Sequence, residues 1–169
     1  IWITDNKLPD ITCPPNVEIS CSDSSLPSAT GWATGSDNCS LTVDISYTDV
    51  AQLNGCNNSG LIIRNWSARD ACGNVRTCVQ LITVVDHTAP VLTCPRDTII
   101  DCGIYINPDV LGYPKGIDNC TPSDELALDY HDDLSGLTGC TNTGVIIRTW
   151  YMTDLCGNTG SCIQKITVA

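Results

Sequence analysis

The cysteines are the residues of this sequence whose chemistry is most distinctive. The chain has 169 residues and 12 cysteines, a share of about 7% that approaches the level of a disulfide scaffold. No two cysteines stand in a CxxC arrangement, and the two histidines, His87 and His131, occupy non-equivalent places. This spacing does not favour a zinc site. We therefore predict disulfides and, because disulfides persist in oxidising compartments, an extracellular or cell-surface location.

The cysteine spacing occurs twice along the chain. A shift of 81 residues superposes the first three cysteines of each set, and a shift of 84 superposes the last three. A fixed period of this kind indicates two copies of one structural unit. The paired positions are Cys13 with Cys94, Cys21 with Cys102, Cys39 with Cys120, Cys56 with Cys140, Cys72 with Cys156 and Cys78 with Cys162.

The repeat sets the domain boundaries that we predict. One repeat spans residues 6–85 and the other 86–169. Residues 1–5 align with the last strand of a repeat, which indicates either a preceding repeat or a strand exchanged with a neighbouring subunit. The linker after residue 85 is short and contains Pro90, so we expect the two domains to lie end to end.

Period-two alternation of apolar and polar residues predicts an all-β fold. Strands are expected at 11–20, 29–35 and 41–50, followed by a hairpin that the sequences GLIIRNWSARDAC (60–72) and GVIIRTWYMTDLC (144–156) begin. Pro14 and Pro15 restrict the first strand to a sheet edge. No segment has helical periodicity. Short strands at this spacing are typical of β-sandwiches.

Catalytic motifs are missing from the sequence, and we predict that the protein is not an enzyme. The residues Arg64 and Arg148 recur on the strand face that also carries Trp66 and Trp150. A ligand anchor is one interpretation of these arginines. We favour a structural role, in which each arginine stacks on the tryptophan and pairs with an aspartate or with backbone carbonyls.

The charge of the chain excludes some partners. The net charge is −11, with 19 acidic against 8 basic residues, so nucleic acids and anionic membranes are poor partners. No apolar run reaches the length of a membrane span.

Aspartate is common in turns and is also a calcium ligand. The proposed fold brings several aspartates and asparagines to the end of the second domain nearest the linker, where calcium is the cofactor they could bind. The alternative is that these side chains only cap turns. The candidates are Asp86, Asp118, Asn119, Asp154 and Asn158.

The predicted strand order constrains the disulfides. Only Cys21 and Cys56 reach the end opposite the start of the first strand, so they should pair, and Cys102 and Cys140 should pair in the second repeat. The order leaves open how the other four cysteines of each repeat pair. One alternative joins Cys72 to Cys78 across the hairpin and Cys13 to Cys39.

Several motifs together resemble the hyalin repeat, or HYR, module: TAPVLTCPRD, the two DNC triplets, DxCGN and the closing SCxQxITV. The six-cysteine version resembles tandem repeats of large secreted bacterial surface proteins. The resemblance covers almost the whole chain and implies immunoglobulin-like β-sandwiches used in adhesion and extracellular display. It also implies that the first and last strands lie side by side and parallel. The bridges that follow from it are Cys13–Cys78 and Cys39–Cys72 in the first repeat, and Cys94–Cys162 and Cys120–Cys156 in the second.

The expected function is structural. We predict a non-catalytic segment of a stalk, adhesin shaft or extracellular filament, with three disulfides per repeat and with neighbouring repeats or subunits of the same protein as partners. The alternative is a recognition module that binds a glycan or a protein through the loops of one repeat. Small polar loops around Cys56 and Cys140 favour the structural role.

Overall fold

The chain consists of two units, Ile1–Asp86 and His87–Ala169. The structure is a computed structural model that describes residues 4–138 and 142–169. Both units are built of β-strands, and the all-β class with two immunoglobulin-type β-sandwiches is confirmed. Residues 4 and 5 are not in a strand, and residues 1–3 lie outside the described part of the chain.

The first unit contains two sheets. The smaller sheet pairs β1 with β3, and the larger has the order β2-β6-β5-β4. A 3₁₀ turn over Cys56–Asn58 separates β4 from β5. The elements are β1 (Asp10–Thr12), β2 (Val17–Ser20), α1 (Pro27–Thr30), β3 (Thr34–Ser36), β4 (Asp44–Gln52), β5 (Gly60–Arg69) and β6 (Val75–Val85).

The second unit repeats this plan. Its smaller sheet pairs β7 with β9, and its larger sheet has the order β10-β11-β12-β8. The elements are β7 (Val91–Thr93), β8 (Thr98–Ile100), α2 (Pro108–Leu111), β9 (Lys115–Ile117), β10 (Ala127–Asp133), β11 (Gly144–Thr153) and β12 (Thr159–Val168).

The predicted strand at 11–20 is two strands that belong to different sheets. The chain leaves the smaller sheet after Thr12 and joins the larger one at Val17. Pro14 and Pro15 lie between the two, and because proline has no N–H to donate, they interrupt the strand pairing. One continuous strand was therefore the wrong interpretation.

The helix α1 is a second difference from the sequence-based expectation. Residues 27–30 form one helical turn instead of the beginning of the predicted second strand. Pro27 fixes the φ angle at its first position, and Gly31 ends it with a φ of 97°, a value that glycine adopts without a steric penalty. A turn of four residues is too short to give a periodic sequence pattern.

The expected parallel pairing of the first and last strands is confirmed. Strand β2 runs parallel to β6, with Val17 opposite Ile82, and β8 runs parallel to β12, with Thr98 opposite Ile166. Each larger sheet is otherwise antiparallel. The parallel pair brings the beginning of each unit next to its end.

The core lies on one face of the long hairpin. Alternate side chains of β5 and β6 are buried because successive residues of a strand point to opposite faces. The same positions are buried in β11 and β12. The buried residues of β5 and β6 are Ile62, Arg64, Trp66, Ala68, Gln80, Ile82 and Val84. No helix in the described residues is long and apolar enough to cross a membrane.

Candidate functional site

The buried arginine of β5 is held on every side by hydrogen-bond acceptors. Arg64 has no exposed surface. Its Nε and Nη2 each donate to the Asp49 carboxylate at 2.8 Å, Nη1 donates to Thr30 Oγ1 at 2.9 Å, and Nη2 also donates to the Ser25 carbonyl at 2.8 Å. The guanidinium carbon lies 4.5 Å from the Tyr47 ring centroid. These contacts confirm the structural interpretation of this arginine.

The second unit repeats this arrangement with one donor left over. Arg148 donates through Nε and Nη2 to Asp132 at 2.7 and 2.8 Å and through Nη2 to the Ile106 carbonyl. Its buried Nη1 has no hydrogen-bond partner in the described part of the chain. Leu111 occupies the position that Thr30 has in the first unit. Leucine has no acceptor, so a buried donor is left unsatisfied.

A buried glutamine ties each tryptophan to the loops. Gln80 accepts a hydrogen bond of 3.3 Å from Trp66 Nε1 and donates to the carbonyls of Pro15 at 3.0 Å and Thr30 at 2.7 Å. Gln164 makes the equivalent contact with Trp150 at 3.2 Å. Because a buried amide must be paired, this glutamine fixes the loop that joins the two sheets.

Two disulfides join the beginning of each unit to its last strand. Cys13 bonds Cys78 with Cα atoms 5.9 Å apart, and Cys94 bonds Cys162 with Cα atoms 5.8 Å apart. Both separations lie in the usual range for a disulfide. The alternative pairing of Cys13 with Cys39 does not occur.

Four further cysteines are disulfide-bonded, and we propose the pairs that were expected for them, Cys21–Cys56 and Cys120–Cys156. In the first unit Cys21 packs against the cluster of Ile62, Ile82 and Val84, and so does Leu53, three residues before Cys56. This shared location at one end of the core supports Cys21–Cys56.

The predicted bridge Cys39–Cys72 is not formed in the structure, because both cysteines have free, exposed thiols. Partial desolvation and the nearby carboxylates of Asp5 and Asp37 raise the pKa of the Cys39 thiol. This favours the protonated form, and the thiolate is the species that forms disulfides. Cys102 also has a free thiol, and Cys140, its predicted partner, lies outside the described residues.

Three carboxylates converge in the first unit. An oxygen from each of Asp5, Asp37 and Asp70 lies within 4.8 Å of the other two. Asp37 Oδ2 accepts from the backbone N–H groups of Cys39 and Ser40 at 2.8 and 2.9 Å. These bonds lower the pKa of Asp37.

Asp70 is the most buried member of this cluster, with 5% of its surface exposed. Its Oδ1 accepts from the backbone of Cys72 and Asn74 at 2.9 and 2.8 Å, and its Oδ2 accepts from the Asn74 side chain at 2.8 Å. Burial raises the pKa of Asp70, but these hydrogen bonds outweigh it and the net pKa is lowered. The carboxylate is therefore charged at neutral pH.

The calcium candidates predicted from the sequence are divided between the units. Asp86 is buried and ends the first unit. In the second unit Asp118 and Asp154 cap turns, and Asn158 donates to Asp154 Oδ2 at 2.7 Å. Asn119 donates from Nδ2 to the Cys120 sulfur at 3.0 Å. The turn-capping alternative thus describes part of what these residues do.

Sequence reasoning missed the equivalent cluster of the first unit. The shift of 81 residues maps Asp86 onto Asp5 and Asp118 onto Asp37, and the shift of 84 maps Asp154 onto Asp70. The repeat alignment therefore contained the signal that identifies all three positions.

The second unit also has a cavity at its surface. It has a volume of about 370 Å³ and lies beside β10 and the loop before α2. Tyr105, which is 85% exposed, stands where the first unit has Ser24. The lining residues are Tyr105, Ile106, Asn107, Tyr130, Asp132 and Arg148.

Solved structures of cadherin extracellular repeats show low similarity to this chain. Drosophila N-cadherin EC1–4 matches with 14% identity over 96% of this chain and a TM-score of 0.39. Human protocadherin-24 EC1–2 matches with 11% identity over 97% of this chain, 99% of that chain and a TM-score of 0.41. Protocadherin gamma B2 EC3–6 matches with 12% identity over 99% of this chain and a TM-score of 0.41.

The chain spans about half the length of two of these structures, 50% of the Drosophila N-cadherin chain and 53% of the protocadherin gamma B2 chain. No protein-family model matches the sequence. No curated protein matches it either.

Proposed function

We propose that this chain is a non-catalytic structural segment of an extracellular stalk, adhesin shaft or filament, and that its disulfides carry tension through each repeat. The hyalin-repeat-like motifs and the two copies of one β-sandwich support this function. The repeats are proposed to extend over residues 6–85 and 86–169 and to associate end to end with neighbouring repeats or subunits of the same protein. A stalk of this kind stands at the cell surface.

The single observation that carries the proposal is the position of the bridges Cys13–Cys78 and Cys94–Cys162. Each bridge joins a cysteine just after the first strand of its unit to a cysteine in the last strand. Tension that enters at Cys13 passes through the sulfur atoms to Cys78. Residues 14–77 therefore bear none of the load.

The same connection limits how far the chain can lengthen. The bridges enclose sequence separations of 65 and 68 residues, and the chain between bridges is only residues 78–94, roughly 55 Å when fully extended. Without the first bridge, unfolding would release about 230 Å of additional length. A shaft built from such repeats keeps its length even when a domain loses its fold.

Single-molecule force spectroscopy of the full chain tests this proposal. Without reductant, we expect no unfolding step near 230 Å, and with dithiothreitol we expect one step of about that length for each unit. The matched control is the double variant Cys13→Ser/Cys78→Ser, which should show one long step without reductant. Long steps in the unreduced wild-type chain would contradict the load-bearing role.

Electron microscopy of the native assembly tests the stalk itself. Thin extended filaments or shafts in which repeats follow one another are expected. Isolated globular particles without end-to-end contact would contradict the proposal.

A second candidate function rests on the cavity beside Tyr105. An exposed tyrosine next to amide and carboxylate groups can stack on a sugar ring and bind its hydroxyls, so this cavity favours glycan recognition by the second unit. Binding to a glycan array should be lost in Tyr105→Ala and retained in Ser24→Ala, the equivalent change in the first unit. Equal binding by both variants would eliminate this candidate.

A further inference from the structure

We propose that Asp5, Asp37 and Asp70 form a calcium-binding site in the first unit. The three carboxylates are the ligands of this acidic cluster, and each has an oxygen within 4.8 Å of an oxygen of the other two. Calcium binds oxygens at about 2.4 Å, so oxygens on opposite sides of one ion are about 4.8 Å apart. One ion can therefore contact all three side chains.

The turn-capping bonds leave two oxygens of this cluster unsatisfied. Asp37 uses Oδ2 for its turn, and Asp5 uses Oδ1 to accept from the Lys7 backbone at 3.0 Å. The remaining atoms, Asp5 Oδ2 and Asp37 Oδ1, are buried and have no hydrogen-bond partner in the described residues. A buried charged oxygen without a partner is costly. A bound cation removes that cost for both atoms.

No basic side chain neutralises the cluster. The ion pairs of the described residues are Arg64–Asp49, Arg76–Asp10 and Arg148–Asp132, and none of them includes a cluster member. The charged and titratable groups around the cluster are Lys7, which acts on Asp37 only through its distant charge, and the thiols of Cys39 and Cys72. Three neighbouring carboxylates need a cation that they do not obtain from the protein.

Asn74 holds two of the ligands in place. Its side-chain nitrogen donates to Asp70 Oδ2 at 2.8 Å and to the backbone oxygen of Asp5 at 3.1 Å. The segment before β1, the turn after β3 and the turn after β5 therefore meet at one point. Calcium there would tie the beginning of the unit to both turns.

The chemistry of the ligands favours calcium over other cations. Carboxylate oxygens are hard ligands, and calcium accepts six to eight of them in an irregular arrangement that water can complete. Magnesium requires near-ideal octahedral geometry, and zinc prefers sulfur and nitrogen. The second unit contains Asp118 and Asp154 at the equivalent positions, and Asp118 Oδ1 is likewise buried without a hydrogen-bond partner in the described residues.

Calcium titration of the full chain after treatment with a chelator tests the site. Isothermal titration calorimetry and metal analysis after dialysis give the affinity and the number of ions bound. We expect Asp37→Asn and Asp5→Asn each to bind one calcium fewer than wild type, or to bind it at least about tenfold more weakly. The matched control Asp101→Asn removes an exposed carboxylate outside the cluster and should bind as wild type does.

Further arms separate the site from its alternatives. Asp118→Asn tests the second unit independently and should leave the Asp37-dependent ion in place. Circular dichroism verifies folding, and if Asp37→Asn does not fold, Asp5→Asn decides, since Asp5 lies outside the strands. The proposal is overturned if wild type binds no calcium, if both Asp5→Asn and Asp37→Asn bind as wild type, or if only zinc binds and thiol alkylation abolishes it.

Discussion

Arg64 and Asp49 are direct cross-strand partners in β5 and β4, and their side chains meet in a two-fold hydrogen bond at 2.8 Å. Arg148 and Asp132 are partners in the same way in β11 and β10. The arginine has no exposed surface, whereas the Asp49 side chain is 31% exposed. The sandwich therefore contains a buried positive charge whose counter-charge lies at its edge.

Removal of that counter-charge should destabilise the first unit. Asp49→Asn leaves the buried guanidinium without a charged partner, and we expect a loss of about 2 kcal/mol in the free energy of unfolding after allowance for solvent at Asp49. Urea denaturation measures it. The control Asp44→Asn, an exposed position at the beginning of the same strand, should change stability by less than about 0.5 kcal/mol. Equal effects of the two variants would refute the importance of the pair.

The Thr30 hydroxyl should stabilise the first unit through Arg64. Thr30→Val keeps the shape of the side chain but removes the acceptor for Arg64 Nη1. A buried donor left without a partner costs about 1–3 kcal/mol, and thermal or urea unfolding measures that loss. Thr48→Val, at an exposed position of β4, is the matched control. A stability of Thr30→Val equal to that of wild type would show that this hydrogen bond contributes nothing.

Acid should destabilise the first unit through its turn aspartates. The pKa values of Asp37 and Asp70 are lowered from the ordinary value of 3.8. A carboxyl whose pKa is lower in the folded state stabilises the fold above its unfolded pKa, and this contribution is lost as the pH falls through the folded pKa. We expect the free energy of unfolding to fall below about pH 4.

The same measurement on a variant identifies the group responsible. Asp37→Asn cannot titrate, so its stability should depend less steeply on pH in this range than that of wild type. An identical pH profile for the two proteins would show that Asp37 does not contribute.

Peptide mapping under non-reducing conditions should identify the remaining bridges. We expect one peptide that joins Cys21 to Cys56 and one that joins Cys120 to Cys156. Alkylation before digestion should label Cys39 and Cys72, whose thiols are free and exposed. A peptide that links Cys21 to any cysteine other than Cys56 would contradict the assignment.

Much of the fold was predictable because it depends on local patterns. Alternation along residues 60–69 and 144–153 placed Arg64 and Trp66 on the inner face, since side chains of a strand point to opposite faces. The duplicated cysteine spacing predicted two equal units. The parallel position of β2 beside β6 came from the family resemblance, and the structure contains it.

Other features depend on residues that are far apart in the sequence. Asp5, Asp37 and Asp70 belong to three segments, each of which is an ordinary turn or extended stretch by itself, so the carboxylates meet only when the sheets close over the core. The split of the first strand at Pro14 and Pro15, the helical turn before Gly31 and the unsatisfied Arg148 next to Leu111 are of the same kind. The sequence alone determined which faces are buried and how the chain repeats, because these follow from periodicity. Only the tertiary structure decided which polar groups meet, because burial and partner geometry arise when distant segments pack together.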